Sequence, residues 1–173
     1  MNLESIQANH AQRERTFAAV GWFDALQAKG IASFEASGFP TTRQEHWKYT
    51  STKALQKIAF ETRGASSADV ESVRPHYLSA IASSELVFVN GVYRQELSRV
   101  ESEDKVSALS FADALQRYPD LMREHLGSLA GFESKPDWSF TALNTAFVAD
   151  GAFVYVPRGV AGGVIHLLHV QDA

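Results

Sequence analysis

The chain has 173 residues, a formal net charge of −4, 45% hydrophobic and 21% charged residues, and 0 cysteines. This is the balance of a soluble globular protein with one sizeable core, or with one domain and the start of another. It excludes disulfides, a thiol nucleophile and thiolate ligands within the chain, and no Lys/Arg cluster suggests the basic face of a nucleic-acid binder. No apolar run is long enough to span a bilayer, and Met1-Asn2-Leu3-Glu4-Ser5 lacks the basic-then-apolar order of a secretory signal, so the sequence reads as cytoplasmic.

In chain order, residues 3 to 29 favour helix, with Phe17, Val20, Phe23 and Leu26 at helical spacing. Gly30 is placed to end that helix as a left-handed cap. A second helix follows from Ile31 to Ser37 and stops at Gly38-Phe39-Pro40. The pair either covers its own core or docks a partner. Residues 40 to 50 then crowd Arg43, Glu45, His46, Trp47, Lys48 and Tyr49 between helical segments. An extended backbone would put Trp47 and Tyr49 on one face. The plain reading is a loop pinned by that aromatic pair and an Arg43–Glu45 ion pair. A short helix is predicted at 53–58, capped by Ser51 or Thr52.

Arg63 to Ala68 is a small-residue connection. Ser67 is a candidate cap for a helix from Ala68 to about Ala82, disturbed at Pro75. Glu85-Leu86-Val87-Phe88-Val89 reads as a strand, Asn90-Gly91 as a two-residue hairpin turn, and 92–97 as the returning strand. Such a hairpin needs a partner layer. Residues 101–105 are charged, and 106–109 suit a short strand. Ser110, with Asp113 three residues on, starts a helix to Tyr118. Pro119 opens another, to about Leu129. A polar link at 133–137 leads to a buried helix at 140–147. Asp150-Gly151 turns the chain into two β-favouring runs, 152–156 and 164–170. Pro157-Arg158-Gly159 and the glycines up to Gly163 separate them.

No catalytic set is legible. The 6 histidines form no HExxH pair. His166 and His169, three apart in a strand, point to opposite faces and cannot share an ion. No phosphate-cradling glycine motif occurs, Asp150 has no partner acid, and Arg158 reads as a solvated turn residue. A carbohydrate-active β-helix enzyme would need clustered carboxylates on one strand face, which are absent.

Three stretches carry a resemblance. They are Gly38-Phe39-Pro40 with Arg43-x-Glu45-x-Trp47-Lys48-Tyr49-Thr50, the run Leu86 to Gly91 with Leu97-Ser98, and Leu143-Asn144-Thr145-Ala146-Phe147 leading to Asp150-Gly151 and Pro157-Arg158-Gly159. Together they resemble the SufB/SufD family of iron–sulfur cluster assembly proteins, and the Asn-Thr-Ala-Phe and Trp-Lys-Tyr versions are similar to its SufD-like branch. The resemblance implies an α+β fold: a mainly helical N-terminal domain at 1–137, with a small β-hairpin near 85–97, then the first strands of a right-handed parallel β-helix at 138–173. It implies an N-terminal portion of a non-enzymatic scaffold that acts with a SufB-like paralogue and a SufC-like ABC ATPase. Catalytic, cofactor and metal positions in this segment are none, although the full complex handles an iron–sulfur cluster. Arg43, Glu45, Trp47, Lys48, Tyr49, Asn144, Asp150, Gly151, Pro157 and Gly159 are the family-motif positions, structural or partner-contacting. The alternative is a free-standing protein-interaction module without a role in cluster chemistry. With one coil at most present, 152–156 or 164–170 is expected at an unprotected sheet edge open to self-association.

Overall fold

The computed structural model describes residues 3–13, 17–58, 68–100, 106–132 and 138–171. It divides into two compact units, Met1–Thr62 with Asp120–Val148, and Arg63–Pro119 with Ala149–Ala173. These units cut across the sequence boundary at 137.

The first unit is helical. It holds α1 (Leu3–Ala11), α2 (Gly21–Ser37), most of α5 (Pro119–His125) and α6 (Ser139–Phe147). Residues 3–29 are therefore not one helix: α1 ends at Ala11, and Phe17 and Val20 precede α2. Gly30 does not cap anything either. It is buried inside α2, where an added Cβ would lie 2.8 Å from the Ala142 carbonyl oxygen and 2.9 Å from the Ala146 nitrogen of α6. Close approach of two helix backbones outweighs the roughly 1 kcal/mol that glycine costs inside a helix. The cap is Gly38, at φ 65°, whose N–H donates to the Phe34 carbonyl at 2.7 Å.

The core of this unit joins Ile6, Phe34, Phe132 and Ala142, with Phe39, Phe140, Leu143 and Phe147 packed against them. Gln27 is fully buried. Its amide donates to the carbonyls of Ala146 (3.2 Å) and Val148 (2.7 Å), so α2 supplies the acceptors at the end of α6 with a donor.

The second unit is built around β1 (Ser84–Val89), every residue of which is buried. Asn90 (φ 49°) and Gly91 (φ 78°) turn it into β2 (Val92–Tyr93), antiparallel to β1. Two successive positive φ angles are the geometry predicted for Asn-Gly. The return is much shorter than 92–97, because Ser98 Oγ takes the Val87 N–H at 2.9 Å and Gln95–Leu97 forms a 3-10 turn. On its other side β1 pairs in parallel with β5 (Ile165–Val170), from Ser84↔Ile165 to Val89↔Val170. β1 is thus a central strand with two covered faces. Val87 and Val89 pack with Val73 and Leu97, while Leu86 and Phe88 pack with Ala108. A continuous apolar run is what such a strand requires.

A second sheet pairs β3 (Ser107–Ser110) with β4 (Ala152–Tyr155), antiparallel. Ser110 caps α4 (Phe111–Arg117), its Oγ accepting the Asp113 N–H at 3.1 Å, as the sequence predicts. The helix predicted from 68 stops early. α3 (Val70–Val73) gives way to a 3-10 turn over Arg74–His76 at Pro75, and its cap is Asp69, in a reciprocal box with Ser72. The proposed Ser67 cap and the links at 101–105 and 133–137 lie outside the described residues.

Candidate functional site

The loop from Pro40 to Thr52 in the first unit is closed at its base. Thr52 Oγ1 donates to the Pro40 carbonyl at 2.7 Å, and both residues are buried. A loop of this length with joined ends is an Ω-loop, a form often used functionally. Inside it, Gln44 Oε1 accepts the Thr41 N–H at 2.6 Å, a 3-10 turn spans Glu45–Trp47, and Thr50 N donates to the Trp47 carbonyl at 2.9 Å. The backbone turns here, so the shared face that an extended segment would give Trp47 and Tyr49 does not arise. Trp47 is half-buried, whereas Tyr49 is 92% exposed. The expected Arg43–Glu45 ion pair does not form among the described residues.

Trp47 anchors the loop through rings. It meets Phe140 edge-on at 5.2 Å, Phe140 meets Phe39 at 6.0 Å, and Phe39 meets the fully buried Phe34 at 5.3 Å. Edge-to-face contacts at these distances are favourable for quadrupolar rings. Beside Trp47 opens a shallow cavity of about 270 Å³ lined by His46, Trp47, Trp138, Phe140 and Thr141. In the same loop, Arg43, Glu45, His46, Lys48 and Tyr49 are exposed, with Lys48 Nζ 5.6 Å from the Tyr49 ring centroid. Asn144 is exposed on α6. The structure therefore brings Trp47 together with α6 residues that no motif spacing singles out.

The remaining motif positions, in the second unit, shape the backbone. Asp150 Oδ2 accepts the Tyr93 N–H at 2.9 Å and Oδ1 accepts the Gly151 N–H at 2.8 Å, which ties β2 to the start of β4. An added Cβ on Gly151 would touch the Phe111 ring at 3.8 Å. The Pro157 carbonyl accepts the Val160 N–H at 3.1 Å, and Gly159 has φ 79°, so both belong to the turn after β4.

Sequence reasoning missed Glu85, which is 1% exposed. Its carboxylate accepts from Leu78 N (2.6 Å) and Ser79 Oγ (2.9 Å), with His166 Nδ1 at 3.4 Å and Arg99 Nε at 3.6 Å. Burial alone would raise its pKa. The hydrogen bonds from Ser79, Leu78 and His166 and the Arg99 charge outweigh burial and hold it below its ordinary 4.5. A glutamate opening an apolar run was the signal in the sequence; the parallel pairing that brings His166 to it is long-range. His166 and His169 do face apart: His166 lies by Glu85, and His169 stacks on Phe88 at 5.0 Å. Among the described residues, no three His, Cys, Asp or Glu side chains could hold one metal ion, and no helix is long and apolar enough to cross a membrane.

Residues 7–163 match the family described as SufBD protein N-terminal region. An iron-sulfur cluster assembly SufBD family protein of Synechocystis, slr0076, is 34% identical over 133 residues, which cover 75% of this chain and 28% of that protein. Another SufBD family protein of Synechocystis, slr0074, is 38% identical over 74 residues, covering 43% of this chain and 14% of the relative. ABCI9, a SufBD family protein of Arabidopsis thaliana, is 31% identical over 77 residues, covering 42% and 16%. The chain thus spans less than a third of the length of each of these relatives.

Proposed function

The chain belongs to the SufBD family, and from that premise we propose that it serves iron–sulfur cluster assembly as a non-enzymatic scaffold component. The family match across residues 7–163 carries this reading. The finer assignment is to the SufD-like branch, supported by Trp47-Lys48-Tyr49 and Asn144-Thr145-Ala146-Phe147. Its partners in the full-length protein are then a SufB-like paralogue and a SufC-like ABC ATPase, with cytoplasmic action and no cofactor held by this segment. The polar motif side chains support binding work over chemistry, since they either face solvent or satisfy backbone groups, while Trp47 packs on Phe140.

Residues 138–173 are proposed as the lead-in helix and the beginning of a right-handed parallel β-helix, after an N-terminal domain at 1–137. The support is that β4 and β5 are outer strands of their sheets. Val154, Tyr155, Val156 and Leu167, in or beside them, are 38–43% exposed. Stacked coils would cover such side chains, and a second copy could do so through the same edge.

Affinity purification of the tagged full-length protein tests the proposal. It should bring down the paralogue and the ATPase together, and its depletion should slow cluster delivery to apo-ferredoxin. Clean purification without either partner, or unchanged delivery, would overturn the scaffold reading.

A further inference from the structure

Residues 41–58 carry four cations, Arg43, Lys48, Lys53 and Lys57, and a single carboxylate, Glu45, in a chain whose net charge is −4. The rest of the chain is more acidic still. All four cations are exposed, and none is in an ion pair among the described residues. In the second unit, by contrast, Arg74, Arg94 and Arg99 each meet a glutamate. The cations are spread over fifteen residues of sequence, which is why no basic run stands out. The base of the loop is pinned by Thr52, its turn is hydrogen-bonded, and Trp47 is held on Phe140. The loop, with Arg43 and Lys48 on it, is therefore ordered before any partner arrives, which lowers the entropic cost of binding. Within it, Tyr49 stands almost wholly in water and the aromatic-lined cavity is open.

We propose that this loop and the cavity of His46, Trp47, Trp138, Phe140 and Thr141 form a docking surface for an acidic segment of a partner protein, one that bears an aromatic or large aliphatic side chain. Arg43 and Lys48 on the loop steer and register the segment, with Lys53 and Lys57 following it in sequence, since complementary charge chiefly sets encounter rate and specificity. The apolar side chain enters the cavity, and Tyr49, exposed on the same loop, adds an aromatic anchor of the kind that dominates interfaces. A nucleic acid fits less well. Tight duplex binding neutralises roughly 6–10 phosphates, more than the cations of this stretch can meet. This inference rests on the reading of the chain as a partner-binding component and names the chemistry of one partner surface.

The test is fluorescence anisotropy on the full chain with a labelled peptide in which glutamates flank a central Phe-Leu pair. Saturable binding is expected, at least about tenfold tighter than for the glutamine counterpart or one with serines for Phe-Leu, and weakening with salt. Tyr49→Ala and Lys48→Glu, both at exposed positions, should each lower affinity about fivefold or more while circular dichroism and melting stay unchanged. Non-saturable binding, equal binding of a lysine counterpart, or tighter binding of a single-stranded oligonucleotide or of phosphatidylglycerol vesicles would overturn the proposal. So would affinity unmoved by both substitutions. Peptide capture is scored without cluster delivery. Its failure beside intact co-purification with the paralogue and ATPase would remove this surface and leave the scaffold reading standing.

Discussion

The Pro40–Thr52 loop and the β1 region treat their polar residues in opposite ways. In the loop, Arg43, Lys48 and Tyr49 project into water and bond to little of the chain. Around β1, Glu85 and Asp150 turn inward, and each oxygen has a protein partner. Both stretches hold family-motif residues or their direct neighbours, yet only the loop leaves its side chains available to something else. A polar residue beside a motif is therefore evidence of partner contact only after its hydrogen bonds have been assigned.

That contrast can be broken by mutation. Glu85→Ala should cost the most, about 3 kcal/mol or more, because it leaves the Leu78 N–H, the Ser79 hydroxyl and Arg99 without their shared acceptor. Urea unfolding measures it, and a loss below about 1 kcal/mol would mean that the site relaxes around the gap. Acid titration adds a sign. Because the folded pKa of Glu85 lies below the ordinary 4.5, its contribution is complete above that value and drains as pH falls through the folded one. Wild type should therefore lose more stability than Glu85→Gln on acidification below 4.5. Parallel curves would remove Glu85 from the account.

Asp150→Ala should cost about 2 kcal/mol by stranding the Tyr93 and Gly151 amides, with faster hydrogen exchange at Tyr93 as its signature. Trp47→Ala is expected near 1–2 kcal/mol, less than a fully buried ring would give, since Trp47 is half-buried against Phe140. A loss as large as that of Glu85→Ala would make the loop anchor part of the core. Tyr49→Ala should change stability by less than about 0.5 kcal/mol.

What the sequence revealed follows from how local each signal is. Asn90-Gly91, Ser110 with Asp113, Pro75 and Gly38 act through their own backbone within a few residues, and each does what its chemistry predicts. Gly30 read as a cap by the same local logic, and there the logic failed. Its role is set by α6, more than a hundred residues away, whose backbone needs the space of a missing Cβ. Gln27, the Glu85–His166 contact and the β1–β5 pairing are long-range in the same way. In the loop, composition flagged Trp47 and its neighbours, but the cavity needs Trp138 and Phe140 from a distant helix start.

Side-by-side urea melts of Tyr49→Ala and Asp150→Ala, each scored for capture of the acidic peptide, test the central claim most directly. Tyr49→Ala should melt with wild type and lose the peptide, while Asp150→Ala should melt early and, where folded, hold the peptide as wild type does. If Tyr49→Ala unfolded first, or if Asp150→Ala alone abolished capture while folded, the division between an outward-facing docking loop and an inward-facing structural strand would be wrong.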